Sequence, residues 1–227
     1  MKAIHNFIKL DFLTIKPFLT LKNIMIYLGI AGFFAFSNQS ISASMAMMMM
    51  FITIYVSYPF AVGDQNGIDT LYIICGIDKK HVVQGRYLWM LLMNFIGALC
   101  SLGVAYVFSW LFKIPMNHTE TIAIFVGLLG VFIVMQATQL PIFFKVGYIK
   151  AKTYTYLLMV TMMALIVGSS YLLSQVMSIQ TLAFLASHLW LIVVIGGCLV
   201  LAALGVSYFL SLKFYENREM TISHSQS

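Results

Sequence analysis

Two amides, a hydroxyl and a proline crowd one apolar stretch: Gln136, Thr138 and Gln139 stand just ahead of Pro141. Proline has no N–H, and its ring displaces the carbonyl four residues back, so Ala137 C=O loses its helical partner. The three polar side chains then have two roles open to them. They repair the kink and bond between helices, or they line a path for a cargo that is not wholly apolar. Asn94, alone in another apolar run, has the same choice. The run Met45, Met47, Met48, Met49 and Met50 offers a different surface. Flexible, polarizable thioethers suit irregular apolar cargo, which makes Met48 a candidate path residue. Consecutive Met residues also point all around a helix and can simply fill space.

Bond-breaking chemistry finds no support in the sequence. The five His are dispersed without metal-ligand spacing, and there is no H-E-x-x-H. His188 sits at the edge of an apolar run and His81 and His118 lie between runs, so no Ser–His pair is placed at depth. Cys75, Cys100 and Cys198 have no paired spacing. No G-x-x-x-x-G-K-[ST] is present, so nothing cradles a nucleotide phosphate and the chain is not an ATP hydrolase. The reading is of no catalytic residue, no metal and no cofactor, which argues against an intramembrane hydrolase. An ion-coupled carrier needs an ionisable group or a broken-helix ion site within a span, and no charged residue falls deep in an apolar run. A non-transporting scaffold conflicts with no residue and stays as an alternative.

Composition says what holds these side chains. The chain has 227 residues, 61% hydrophobic and 9% charged, with mean hydropathy +0.94. Soluble proteins carry about 25% charged residues, so the bilayer must be part of the solvent here. Net charge +6 would point to nucleic acid only if gathered on one face, and these charges lie in short scattered clusters. The apolar runs predict spans over 23–39, 43–62, 87–112, 122–144, 154–174 and 189–212. Each becomes a helix, because backbone facing lipid must bond within its own segment. Lys2, Lys9, Lys16 and Lys22 precede the first run; Lys79, Lys80 and Arg86 follow the second; Lys145, Lys150 and Lys152 follow the fourth; Lys213 and Arg218 follow the last. The alternate loops hold only Lys113. Basic residues stay cytoplasmic, so both termini are expected inside and the protein is expected to cross the membrane six times. A cleaved leader would interrupt this alternation and is not expected.

The first 20 residues read as an amphipathic helix lying in the inner interface. Lys2, His5, Asn6, Lys9 and Lys16 share one arc, and Ile4, Phe7, Ile8, Leu10, Phe12 and Ile15 the opposite one. Asp11 interrupts the apolar face, and Pro17 ends or bends the helix. The fold class is an all-α membrane protein in a single permease-like domain, residues 1–227.

Segment 63–86 holds the most elaborate polar sequence. Asn66-Gly67 is turn chemistry, and Ile68 to Cys75 reads as a short helix with Ile68, Leu71, Tyr72 and Cys75 on one face. Gly76 suits a stop, and Asp78 suits the cap of a helix running through Arg86 into the next span. Such a short helix is unstable alone in water, so its apolar side needs the bundle, the membrane or another protein.

The pattern D-Q-N-G-I-D-x-L-Y-I-I-C-G-I-D-K-K-H-V-V-Q-G-R-Y-L resembles the coupling segment of ABC-2 type transporter permeases. The interfacial helix, six spans and internal termini resemble that family too, in its type V exporter form. One departure is Cys75-Gly76, where relatives often carry Leu-Pro. Within the family the chain is most similar to small Gram-positive permeases, among them those of staphylococcal exporters of phenol-soluble modulin peptides and of antibiotic-peptide immunity transporters. The resemblance implies an exporter of amphipathic or lipid-like cargo, dimeric with itself or a second permease. It implies a separate cytoplasmic ABC ATPase that binds ATP and Mg and docks on Ile68, Asp69, Leu71, Tyr72 and Cys75.

Overall fold

The computed structural model describes residues 2–68, 72, 74, 77–158, 160–161 and 189–217. All its elements are helical: α1 (Lys2–Ile15), a 3-10 turn (Lys16–Phe18), α2 (Leu21–Asn38), α3 (Ile41–Gln65), α4 (Lys79–Phe112), α5 (His118–Val146) and α6 (Leu189–Glu216). Residues 148–158 are helical as well, and no strand occurs among the described residues.

Caps follow from side chains at the starts. Thr20 Oγ1 accepts from Asn23 N–H at 3.3 Å, Asp78 Oδ1 from Lys80 N–H at 3.0 Å, and Asn117 Oδ1 from Thr119 N–H at 3.1 Å. At the ends, Gln39 (φ 49°) and Lys113 (φ 55°) turn left-handed. Ser40 N–H then closes on Ala35 C=O and Ile114 N–H on Ser109 C=O, at 3.2 and 3.1 Å, so the last carbonyls are not orphaned.

Pro17 opens the 3-10 turn, and the chain bends by 77° between Lys9–Phe18 and Leu21–Asn38. Asn23 Nδ2 holds the corner by donating to Phe18 C=O at 2.8 Å. α3, α4, α5 and Val193–Glu216 of α6 are each long and apolar enough to cross a bilayer, and the bent pair adds a fifth span if it counts as one. Six spans are expected from the sequence, and the described residues hold four or five. The predicted span 154–174 lies mostly outside them.

α4 is the central element. Its 34 residues make about 51 Å of helix, well beyond the ~30 Å of hydrocarbon. It packs on α3 along its length and also meets α1, α2, α5 and α6. At the Lys/Arg-rich end, Val82, Val83, Tyr87, Trp89, Met90 and Met93 form a core with Ile15, Tyr55, Val56, Leu140, Phe144 and Tyr215. At the far end Ala31, Ala35, Met45, Ala105 and Phe108 form a second. The outward residues of α2, α4 and α6 are large and apolar: Phe33, Trp110, Leu199 and Phe209 are each more than 60% exposed. In water that surface would be untenable; in lipid it is the solvent contact.

α3 and α4 meet backbone to side chain at Gly97. A Cβ there would lie 2.3 Å from Ile52 Cγ1, whereas one at Gly103 would meet nothing within 4 Å. Gly97→Ala should therefore lower the Tm in detergent, and Gly103→Ala should leave it level or raise it through helix propensity. Equal shifts for the two would contradict the close approach.

Candidate functional site

The segment expected to be a handle is anchored on one side and free on another. Gly67 adopts φ +63°, the left-handed conformation the Asn66-Gly67 turn needs. Ile68, Tyr72 and Ile74 are helical. Ile77 N–H donates to Tyr72 C=O at 3.0 Å, a six-to-one bond that closes a helix end. Tyr72 is buried at 5% exposure and belongs to the core at the Lys/Arg-rich end; Ile68 and Ile77 pack against the same core. Ile74 points away and is 76% exposed. Of the face grouped in the sequence, Ile68 and Tyr72 turn toward the bundle; Ile74, outside that group, presents an outward apolar surface. Asp69, Leu71 and Cys75 lie outside the described residues.

Two of the segment's acids hold structure. Asp78 caps α4, and Asp64 Oδ2 accepts from Ile149 N–H at 3.1 Å, tying the end of α3 to the helix that follows Gly147.

Two turns into α4, Arg86 donates from Nη1 to Asp11 Oδ1 of α1 at 2.6 Å. The arginine is 4% and the aspartate 1% exposed. The guanidinium carbon also lies 4.8 Å from the centroid of the Phe60 ring, so α3 supplies a π face to the same cation. Asp11, which read as a break in the apolar face of α1, is the centre of the face that docks. Ile15, one turn on, is fully buried beside it, while Leu10, Phe12 and Leu13 are exposed. Asp11 Oδ2 has no partner among the described residues. Burial pushes the Asp11 carboxyl up from 3.8 to about 6, outweighing the attraction and the hydrogen bond of Arg86.

The next residue, Tyr87, makes a second clamp. Its hydroxyl bonds Ser207 Oγ and Ser211 Oγ of α6, at 2.5 and 2.8 Å. Ser207 in turn donates to Ala137 C=O, the carbonyl freed by Pro141. Repair of the proline kink thus comes from α6, and the polar residues of α5 itself are not used for it.

Those residues go elsewhere. Asn94 and Gln136 exchange amide bonds: Asn94 Nδ2 donates to Gln136 Oε1 at 2.5 Å, and Gln136 Nε2 donates to Asn94 Oδ1 at 3.2 Å and Thr53 Oγ1 at 3.1 Å. All three are buried at 4% exposure or less, so α3, α4 and α5 are locked together in mid-bundle. Thr138 bonds back to Met135 C=O at 2.7 Å within its own helix. Gln139 is 2% exposed, and its Nε2 has no partner among the described residues. Met45 and Met49 are buried at 1% exposure, and Met48 is half-buried against the far core.

The sequence reading missed Asp11 as a partner, Arg86 as a buried group, and Tyr87, Ser207, Ser211 and Thr53 as clamp members. Signals were present. Arg86 is one of two Arg among 13 basic residues, and Arg, unlike Lys, suits a buried forked pairing. Ser207 and Ser211 are spaced i, i+4 in an apolar helix.

The sequence signature of the family described as "ABC-2 family transporter protein" matches residues 6–216. The chain belongs to the ABC-2 transporter family. Neither a curated protein nor a solved structure matches it. An ABC-2 transporter protein of this kind is the transmembrane component, not itself catalytic, in a multi-pass membrane setting, and membership implies an ABC ATPase partner.

Two predictions follow from the polar contacts of this ABC-2 protein. Because the folded pKa of Asp11 is raised, its contribution to stability is full below the unfolded value of 3.8 and is lost as pH rises through about 6. The Tm of the wild type minus that of Asp11→Asn should fall across that interval; a difference that grows would contradict the burial argument. Gln136→Leu strands Asn94 and Thr53 and should cost about 1–3 kcal/mol, while Gln139→Leu removes a donor without a partner and should be neutral or stabilising. Thermal unfolding of the pair checks the order, and the reverse order would refute the assignment.

Proposed function

We propose that this chain is the permease subunit of an ATP-driven exporter, moved through segment 68–78 by a separate cytoplasmic ATPase. The observation that carries the reading is Ile74: an apolar side chain held 76% exposed at the Lys/Arg-rich end, by a helix whose other side is set in the core through Ile68 and Tyr72. A large apolar group held outward at this end is available for contact with another protein. Family membership supplies the partner class, an ABC ATPase. The concentration of Lys and Arg at this end supports placing it, and both termini, in the cytoplasm of a bacterium.

The cargo we propose is an amphipathic or lipid-like molecule, such as a phenol-soluble modulin or an antimicrobial peptide. Support comes from the interior: Asn94, Gln136 and Thr53 bond one another through Gln136, so among the described residues no fixed charge and few free polar groups remain at depth to bind a charged solute. A second permease copy or a paralogue completes the path. The broad apolar faces of α2 and α6 favour this, with open space over Gly29, Gly196, Gly197 and Gly205. The fold class we propose is the type V exporter arrangement with six spans.

The test is co-purification with an ABC ATPase from the same genome, followed by ATP turnover in proteoliposomes. Ile74→Asp should abolish both binding and permease-stimulated turnover while membrane insertion is kept, and Tyr72→Asp should impair insertion itself. Wild-type turnover in the Ile74→Asp protein would remove the docking proposal.

A further inference from the structure

Two of the ties at the start of α4 differ in kind. Lys79 Nζ donates to Glu216 C=O at the end of α6, an exposed hydrogen bond of 2.9 Å from a flexible side chain. Arg86 is tied to α1 by an ion pair from which water is almost wholly excluded. Breaking the first exchanges one hydrated partner for another. Breaking the second with α1 in place leaves an uncompensated buried charge, which costs several-fold more than an exposed hydrogen bond.

Nor has the guanidinium anywhere to go. The cavity beside it, lined by Phe60, Gly63, Asp64, Arg86, Gly147 and Tyr148 among others, has about 10 Å³, room for one water. The ring of Phe60 covers another side of the cation. Apolar packing joins the same elements: Ile15 of α1, Tyr72 of the coupling segment and Val82 and Val83 of α4 are all buried in one core, which Tyr215 of α6 shares.

We infer that Arg86 is a positioning residue that makes α1 travel with the coupling segment: the Asp11–Arg86 pair stays closed, and α1 and the first turns of α4 move as one lever. The inference rests on the proposed function, since it concerns what the ATPase moves. It assigns α1 a mechanical part beyond lying in the interface, and it makes the exposed Lys79 contact dispensable.

The experiment uses the full chain with its ATPase in proteoliposomes and reads two quantities, binding of the ATPase and stimulation of its ATP turnover. Arg86→Ala and Asp11→Ala should each keep binding within twofold and lower stimulation at least tenfold. The exchange Asp11→Arg with Arg86→Asp should recover a third or more of the lost stimulation, and Lys79→Ala should change it less than twofold. Should Arg86→Ala fail to insert, Asp11→Asn keeps the side-chain shape and reads the same quantity, with binding unchanged and stimulation lowered two- to fivefold. Wild-type stimulation in the single variants would overturn the inference, as would loss of binding in proportion to loss of stimulation. So would a larger effect from Lys79→Ala. These results are distinct from failure of the functional reading itself, in which the wild-type chain would neither bind nor stimulate an ABC ATPase.

Discussion

A carboxylate and a guanidinium, 2.6 Å apart and shut away from water, join two helices that the sequence separates by 75 positions. Each group would be costly to bury alone, and together they are tolerable only while both stay in place. That constraint sets the corner of the molecule. It fixes α1 against α4, brings Phe60 of α3 over the cation, and leaves the bend after Phe18 as the route by which the chain turns from α1 into α2.

From this corner α4 makes further polar contacts with α5 and α6. Tyr87 reaches α6, and Asn94, about 12 Å along the axis from Arg86, reaches Gln136 of α5, which in turn bonds Thr53 of α3. Lipid supplies no hydrophobic drive between helices, so interhelical hydrogen bonds and close glycine contacts such as Gly97 on Ile52 carry the packing. A helix clamped at Arg86, Tyr87 and Asn94 transmits displacement as a rod. The segment attached to its start, with Tyr72 set in the core and Ile74 left outside, is where an ABC ATPase partner would apply it.

Much of the local chemistry was readable from the sequence. Asp78 as a cap, Asn66-Gly67 as a turn with positive φ, and the freed carbonyl of Ala137 all follow from one residue and its immediate neighbours. What was not readable is which distant group answers. Ala137 C=O is met by Ser207, 70 positions away, and Gln136 is used by Asn94 and Thr53, so the kink and the amides beside it turned out to be separate matters. Asp11 misled for a related reason. Periodicity scores a charge on an apolar stripe as a defect, because it has no term for a counter-ion elsewhere in the chain. Tyr72 and Ile74 differ by two positions and point apart, a distinction that depends on how the short helix is rolled against the bundle.

The account stands on the coupling between Asp11 and Arg86, and a double-mutant cycle measures that coupling without reference to any partner. The cycle comprises the wild type, Asp11→Ala, Arg86→Ala and the double variant, with unfolding free energies measured in one membrane mimetic at pH 7. An interaction energy of about 2 kcal/mol is predicted, within the range seen for residues in direct contact. Additive effects, with an interaction indistinguishable from zero, would show that the pair does not hold α1 to α4.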